Sequence, residues 1–247
     1  MDQLREITKI KDIYVINLKH RDDRKKATQK ELKKIKINNY EIFPAIHGTT
    51  LNENQLDQLE DPVLNKIIQN IRHCHEELPS FNAVGSYLSH LEICRKVSKL
   101  KDNTRCLILE DDVKLDRNIV NSLGNIWKAI PDDYDVLMLG YIPLAKNESE
   151  VRRVNQFLAS EINFWDTHAY ILTGRGAKKI LKEHDKIRFQ YHAFLRSLNE
   201  TNRLKMYFLL PSIIKTREKD QNIPSDVQTN NSQNLKMIRF NNNMVQQ

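Results

Sequence analysis

The chain has 247 residues, 40% of them apolar, and a formal net charge of +7. That length holds one large α/β domain with a core that needs no disulfide or metal staple. No apolar run reaches the length of a membrane span and the charged start lacks a signal-peptide core, so an integral membrane protein is not expected and a cytoplasmic location is. Three cysteines, Cys74, Cys94 and Cys106, show no metal spacing and suit a reduced compartment.

Six short β-rich runs alternate with helical patterns. The first, Asp12 to Leu18, is nearly continuously apolar, the mark of a strand buried on both faces. Behind it comes Asn17-Leu18-Lys19-His20-Arg21-Asp22-Asp23-Arg24, which opens a helix. Asn17 suits a base or ribose. Arg21 and Arg24 suit phosphate oxygens near the positive end of the helix dipole, or else pair with Asp22 and Asp23. The basic stretch from Arg21 to Lys36 reads as a solvated helix face. Glycine-rich phosphate loops are missing, which argues against a P-loop NTPase and a Rossmann dehydrogenase.

The second strand is Tyr40 to Ile46. Leu56, Leu64, Ile67, Ile68 and Ile71 then suggest helical material broken near Pro62. Arg72-His73-Cys74-His75 fits no tetrahedral metal pattern and reads as loop. Leu88, Leu91, Cys94 and Val97 form the buried stripe of a helix.

The third strand, Arg105 to Leu109, runs directly into Glu110-Asp111-Asp112. Three adjacent carboxylates repel one another beside a core. A hard divalent cation, Mn²⁺ or Mg²⁺, would relieve that repulsion and leave positions open for diphosphate oxygens; the plainer alternative is a solvated acidic loop. Strands at Tyr134 to Leu139, Ala169 to Thr173 and Lys205 to Leu210 follow, with a short helix over Ala177, Ile180 and Leu181. From about Gln221 the chain is rich in Asn and Gln. Residues 1–224 are therefore expected to form one domain, and 225–247 a poorly packed tail able to close over a site. Aromatic residues do not interleave with the basic run, so nucleic acid is not an expected partner.

The order of the motifs resembles glycosyltransferase family 25, which includes bacterial lipooligosaccharide galactosyltransferases and glycosyltransferases of collagen hydroxylysine. The matching segments are Tyr14–Leu18 with Arg21 and Arg24, Phe43–Gly48, Gly85–Leu91, Leu107–Val113, Tyr134–Gly140, and Thr167–Thr173 with Gly176-Ala177. Pro211 and Ser225-Asp226-Val227 add a weaker seventh match. The resemblance implies a GT-A-type fold with a mixed, mostly parallel central sheet flanked by helices. It implies a UDP-galactose or UDP-glucose donor and Mn²⁺ (or Mg²⁺) on Glu110 and Asp112. It implies donor contacts at Asn17, Leu18, Arg21, Arg24, Ala45, Gly48, Gly85, Ser89 and His90, and acceptor contacts at Thr167 and Gln190. Asp166, His168 and Asp111 are its catalytic candidates. The acceptor would be a hydroxyl on a collagen-like hydroxylysine, on its galactosyl form, or on a surface oligosaccharide, and a homodimer is possible. A non-catalytic nucleotide-sugar or glycan-binding module on the same fold is the alternative. Two departures stand out: His47 where an acidic residue is usual, and Gln190 where the family tends to carry a carboxylate, which opens the question of the base.

Overall fold

A computed structural model of the chain describes residues 3–144, 150–217, 226 and 227. The expected tail at 225–247 lies outside the described residues except for Asp226 and Val227.

Eight strands among the described residues form one sheet. In chain order they are β1 (Ile10–Asn17), β2 (Glu41–Pro44), β3 (Arg105–Glu110), then β5 (Val136–Pro143), β6 (Arg152–Asn155), β7 (Leu158–Glu161), β8 (Phe164–Thr173) and β9 (Met206–Leu209). Between β3 and β5 lies β4 (Val113–Lys114), which pairs antiparallel with β10 (Lys215–Thr216) in a separate two-stranded ribbon. The large sheet has the order β2-β1-β3-β8-β5-β9-β7-β6. Pairings β1·β2, β1·β3 and β5·β9 are parallel, while β8 is antiparallel to both its neighbours and β7 to both of its own. Six strands thus run one way and β8 and β7 the other: the mixed, mostly parallel sheet of an α/β protein.

Alternation along each strand builds two cores. Tyr14, Ile16, Cys106, Ile108, Val136, Met138, Tyr170 and Leu172 face one side. Ile13, Val15, Leu107, Leu109, Leu137, Leu139 and Ile171 face the other. The period of two places every second side chain on the same face. On the first side lie α5 (Phe81–Val97), α7 (Gly174–Glu183) and α8 (Tyr191–Glu200); on the second lie α1 (Gln3–Thr8), α2 (Asp22–Lys34) and α6 (Ile119–Ile126). The most enclosed of these is α5. Its Ser80 cap accepts from the Ala83 amide at 3.1 Å, and it is buried on nearly every side because it is sandwiched between the sheet and α7 and α8.

All six strands anticipated from the sequence are present, with β1 and β8 starting earlier than expected. The helical material does break ahead of Pro62: α3 (Glu53–Leu56) ends before it, and α4 (Asp61–Gln69) takes Pro62 into its first turn, where proline has no amide bond to lose. The first strand connects to its neighbours in opposite directions, β2 on one side and β3 on the other. That reversal is the topological switch point where ligands of open α/β sheets bind, beyond the carboxyl ends of the strands. Because β8 runs backwards, its beginning emerges at the same rim. Among the described residues no helix is long and apolar enough to cross a membrane, and all three cysteines are free thiols.

Candidate active site

Two adjoining cavities open at that rim. The first, about 600 Å³, lies between the ends of β1, β2 and β3 and the start of α5; Leu18, Arg24, Ala45, Asn82 and Asp226 line it. The second, about 870 Å³, lies over the start of β8 and is lined by His75, Trp165, Asp166, Thr167, Gln190 and His192. Ser86, Glu110, Asp112 and Val227 line both. The acidic strand end is therefore the partition between two lobes.

The three carboxylates do different things. Asp111 turns back toward β1 and α2. Asn17 Nδ2 donates to its Oδ2 at 2.6 Å, and Arg24 lies 3.2 Å from its Oδ1. Burial pushes the Asp111 carboxyl up, against the pull of Arg24 and Asn17. Asp111 holds the loop through both oxygens and lines the first lobe only, away from the second. Arg24, 8% exposed, also reaches Asp112 at 3.8 Å. Arg217 anchors the loop from behind: its amide donates to the Asp112 carbonyl at 2.7 Å and its guanidinium to the Asp111 carbonyl and to Thr28. Nothing in the local sequence marks Arg217.

Glu110 and Asp112 face the lobes, and Glu110 accepts from His90 Nε2 at 3.3 Å. His90 is buried in mid-helix and stacks on Tyr191 with centroids 4.6 Å apart. Burial lowers it to about 3, so the ring is neutral. Nε2–H must then be the donor to Glu110, and Nδ1 accepts from Tyr170 hydroxyl at 2.9 Å. Among the described residues no three His, Cys, Asp or Glu side chains gather closely enough to enclose an ion alone. Two carboxylates facing a cleft do match the donor set of Mn²⁺ or Mg²⁺, hard ions that take one or two protein oxygens and complete their shell with phosphate and water. The residues fit such an ion in company with a diphosphate.

Several expected donor contacts stand behind the first lobe and shape it. Gly85 lets α5 touch the turn after β2, where a Cβ would lie 2.3 Å from the Ile46 carbonyl. Ser89 Oγ accepts from the Ile46 amide at 2.8 Å, and Gly48 donates to Asn82 Oδ1 at 3.2 Å. Asn17 and Arg21 also serve as scaffold: Arg21 pairs with Asp23 and with Asp226. The helix from Arg21 is only half solvated, since Arg24, Thr28, Glu31 and Leu32 are buried. The Asp226 and Val227 carbonyls accept from Asn82 Nδ2 at 3.0 Å and Ser80 Oγ at 2.6 Å, which seats both residues on the wall of the first lobe. His47 Nδ1 accepts from the Thr49 amide at 3.2 Å and caps the turn.

In the second lobe, Asp166 adopts φ 72°, a left-handed backbone for a residue that is not glycine. Its Oδ1 accepts from the Thr167 amide at 2.8 Å and its Oδ2 from His168 Nδ1 at 3.0 Å. His168 Nε2 donates to the Ile214 carbonyl at 2.8 Å. Burial alone would depress His168, but Asp166 and this carbonyl outweigh it and lift the imidazole to about 9. Asp166 is correspondingly lowered: burial opposes ionisation, and the His168 cation with its hydrogen bond overcomes that. His168 lies over Gly140, where a Cβ would come within 2.5 Å of its ring. It borders neither lobe, so its contact is with Asp166 and not with a reactant.

Gln190 donates through Nε2 to the His75 and Glu77 carbonyls and through its amide to the Glu76 carbonyl at 2.8 Å. A carboxylate there would face those carbonyls with no proton to give, so the amide is the side chain this loop requires. The segment 72–75 is a loop, as its sequence indicates, and supplies His75, which stacks on Trp165 at 3.8 Å. His75, Trp165 and His192 come from three separate segments with no shared motif, and only the fold reveals them as neighbours.

Comparison with known proteins finds glycosyltransferases. Procollagen galactosyltransferase 1-A of Xenopus laevis is 27% identical over 176 residues, 69% of this chain and 28% of that protein. A glycosyltransferase 25 family member of Drosophila melanogaster is 29% identical over 191 residues, 71% of this chain and again 28% of the relative. The chain thus spans under a third of the length of either. Among solved structures, the inositol-1-phosphate CTP transferase from T. maritima aligns over 93% of this chain and 96% of its own at a TM-score of 0.39 and 14% identity, a likeness that carries no argument. The sequence pattern of glycosyltransferase family 25, described as an LPS biosynthesis protein family, matches residues 10–195, most of the chain. The chain belongs to glycosyltransferase family 25.

Proposed function

We propose that this chain transfers a hexose, galactose or glucose, from a UDP-sugar to an acceptor hydroxyl. The nucleotide would occupy the first lobe and the acceptor the second. The observation that carries this reading is the shared wall: Glu110 and Asp112 border both cavities, so a bond broken on one side is within reach of an acceptor on the other.

In this reading Arg24, Asn17 and Arg217 fix the acidic loop, and Glu110 and Asp112 hold Mn²⁺ or Mg²⁺ against the diphosphate. Such an ion supplies Lewis-acid stabilisation of the charge that the departing nucleotide gains. Asp166 takes the acceptor hydroxyl's proton. Support for that role comes from its position in the second lobe and from His168 and the Thr167 amide, which keep it an anion in one orientation. The acceptor hydroxyl belongs to a collagen-like hydroxylysine, its galactosyl form, or a surface oligosaccharide. The alternative of a non-catalytic binding module drew on Gln190, whose contacts with the 75–77 carbonyls are those of a loop clip.

The test is a screen of UDP-sugars for UDP release, with and without Mn²⁺, on the native chain and on Asp112→Ala. A loss of about 10²–10³ in rate is expected from removing one group that stabilises the transition-state charge. Near-normal turnover in that variant would overturn the reading.

A further inference from the structure

We infer that the second lobe is built to hold a neutral sugar, so that this chain adds to a hydroxyl of an existing glycan and not to the amine-bearing side chain of hydroxylysine. The inference rests on the transferase reading above and narrows its acceptor. His75 Nδ1, Trp165 Nε1 and His192 Nε2 are buried and have no hydrogen-bond partner among the described residues. All three residues line the same cavity, and His192 is only 5% exposed. A buried polar atom left unpaired costs about 1–3 kcal/mol. Three in one cavity mark the wall of a ligand site, not three independent packing faults.

The chemistry of the set selects the ligand. Burial holds both imidazoles below their ordinary range, His192 at about 4, so each ring is neutral with one donor and one acceptor nitrogen. Trp165 adds a donor, with one face covered by His75 and its nitrogen left to offer. Hydroxyls both give and accept hydrogen bonds, so a polyol satisfies such a mixed set. An ammonium only gives, so it would leave the Trp165 N–H and the donor nitrogen of each imidazole unpaired.

Saturation-transfer NMR on the native chain with methyl β-galactoside, methyl β-glucoside and 5-hydroxylysine tests this, alongside calorimetric titration with UDP and Mn²⁺. At least one hexoside should bind and hydroxylysine should not. His192→Phe and Trp165→Phe, each deleting one nitrogen and keeping a ring, should weaken the hexoside about tenfold, with UDP affinity unchanged. Two variants guard against one failing to fold, and UDP affinity reports that each is intact. Hydroxylysine binding as well as either hexoside, no binding of any of the three, or unchanged hexoside affinity in both variants would overturn the inference while leaving the transferase reading in place. Failure of UDP to bind the native chain would sink that reading instead.

Discussion

Replacing His168 with Gln removes a titrating ring while keeping an amide donor for the Ile214 carbonyl. In the native protein the imidazolium sits 3.0 Å from Asp166. At an effective dielectric of about 20 that separation gives a gross attraction of roughly 5–6 kcal/mol, from which burial subtracts. The rise from 6.5 to about 9 leaves roughly 3 kcal/mol in favour of the charged form. An unfolded histidine titrates near its ordinary value and the folded one higher, so the folded chain holds an extra proton between them. The contribution to stability is therefore complete below about pH 6.5 and drains away as pH rises through about 9. Urea unfolding of both proteins at about pH 6 and about pH 10 measures it, since groups remote from the Asp166–His168 pair titrate alike in both. The stability gap between native and His168→Gln should shrink by roughly 3 kcal/mol at the higher pH. A gap equal at both pH values would refute the reasoning, as would an imidazole NMR signal titrating near 6.5.

Arg24→Met should destabilise the chain by about 3–5 kcal/mol, the cost of stranding a buried carboxylate, and the deficit should narrow on acidification as Asp111, already raised by burial, takes up a proton; urea unfolding at two pH values measures both. Gly85→Ala should cost about 1–3 kcal/mol because its methyl meets the Ile46 carbonyl, read as a lower thermal midpoint together with weaker UDP binding by calorimetry. Gln190→Glu should destabilise by about 1–3 kcal/mol as carboxylate oxygens face the His75 and Glu77 carbonyls, and should raise the acceptor KM while leaving the donor KM alone in steady-state assays.

What could be read from the residues, and what could not, follows from locality. The apolar runs of β1 and β3 are continuous because both faces of the sheet are covered, and Glu110–Asp112 is legible because charge directly follows such a run. The β6–β7 hairpin was missed because Arg152, Arg153 and Val154 lie exposed at the sheet edge with no apolar alternation to betray a strand. The helix α8 begins at Tyr191 without a side-chain cap, so no local signal announces it. Residue types alone could not separate Asp111 from its neighbours: which of three adjacent carboxylates turns inward depends on Arg24, far away in sequence. Ser89 and Gly85 were expected to touch the donor, but their motif reflects the docking of α5 on the 45–48 turn. His75, Trp165 and His192 had no pattern to find.

The reversed direction of β8 has a practical corollary. The first lobe is made from strand ends near the front of the chain, whereas the second is assembled from residues 72–77, 164–167 and 190–192. Under the proposed function, exchanging those three short stretches between relatives should change the acceptor while leaving UDP affinity as it was. One bank of the channel can then be revised while the other stays put.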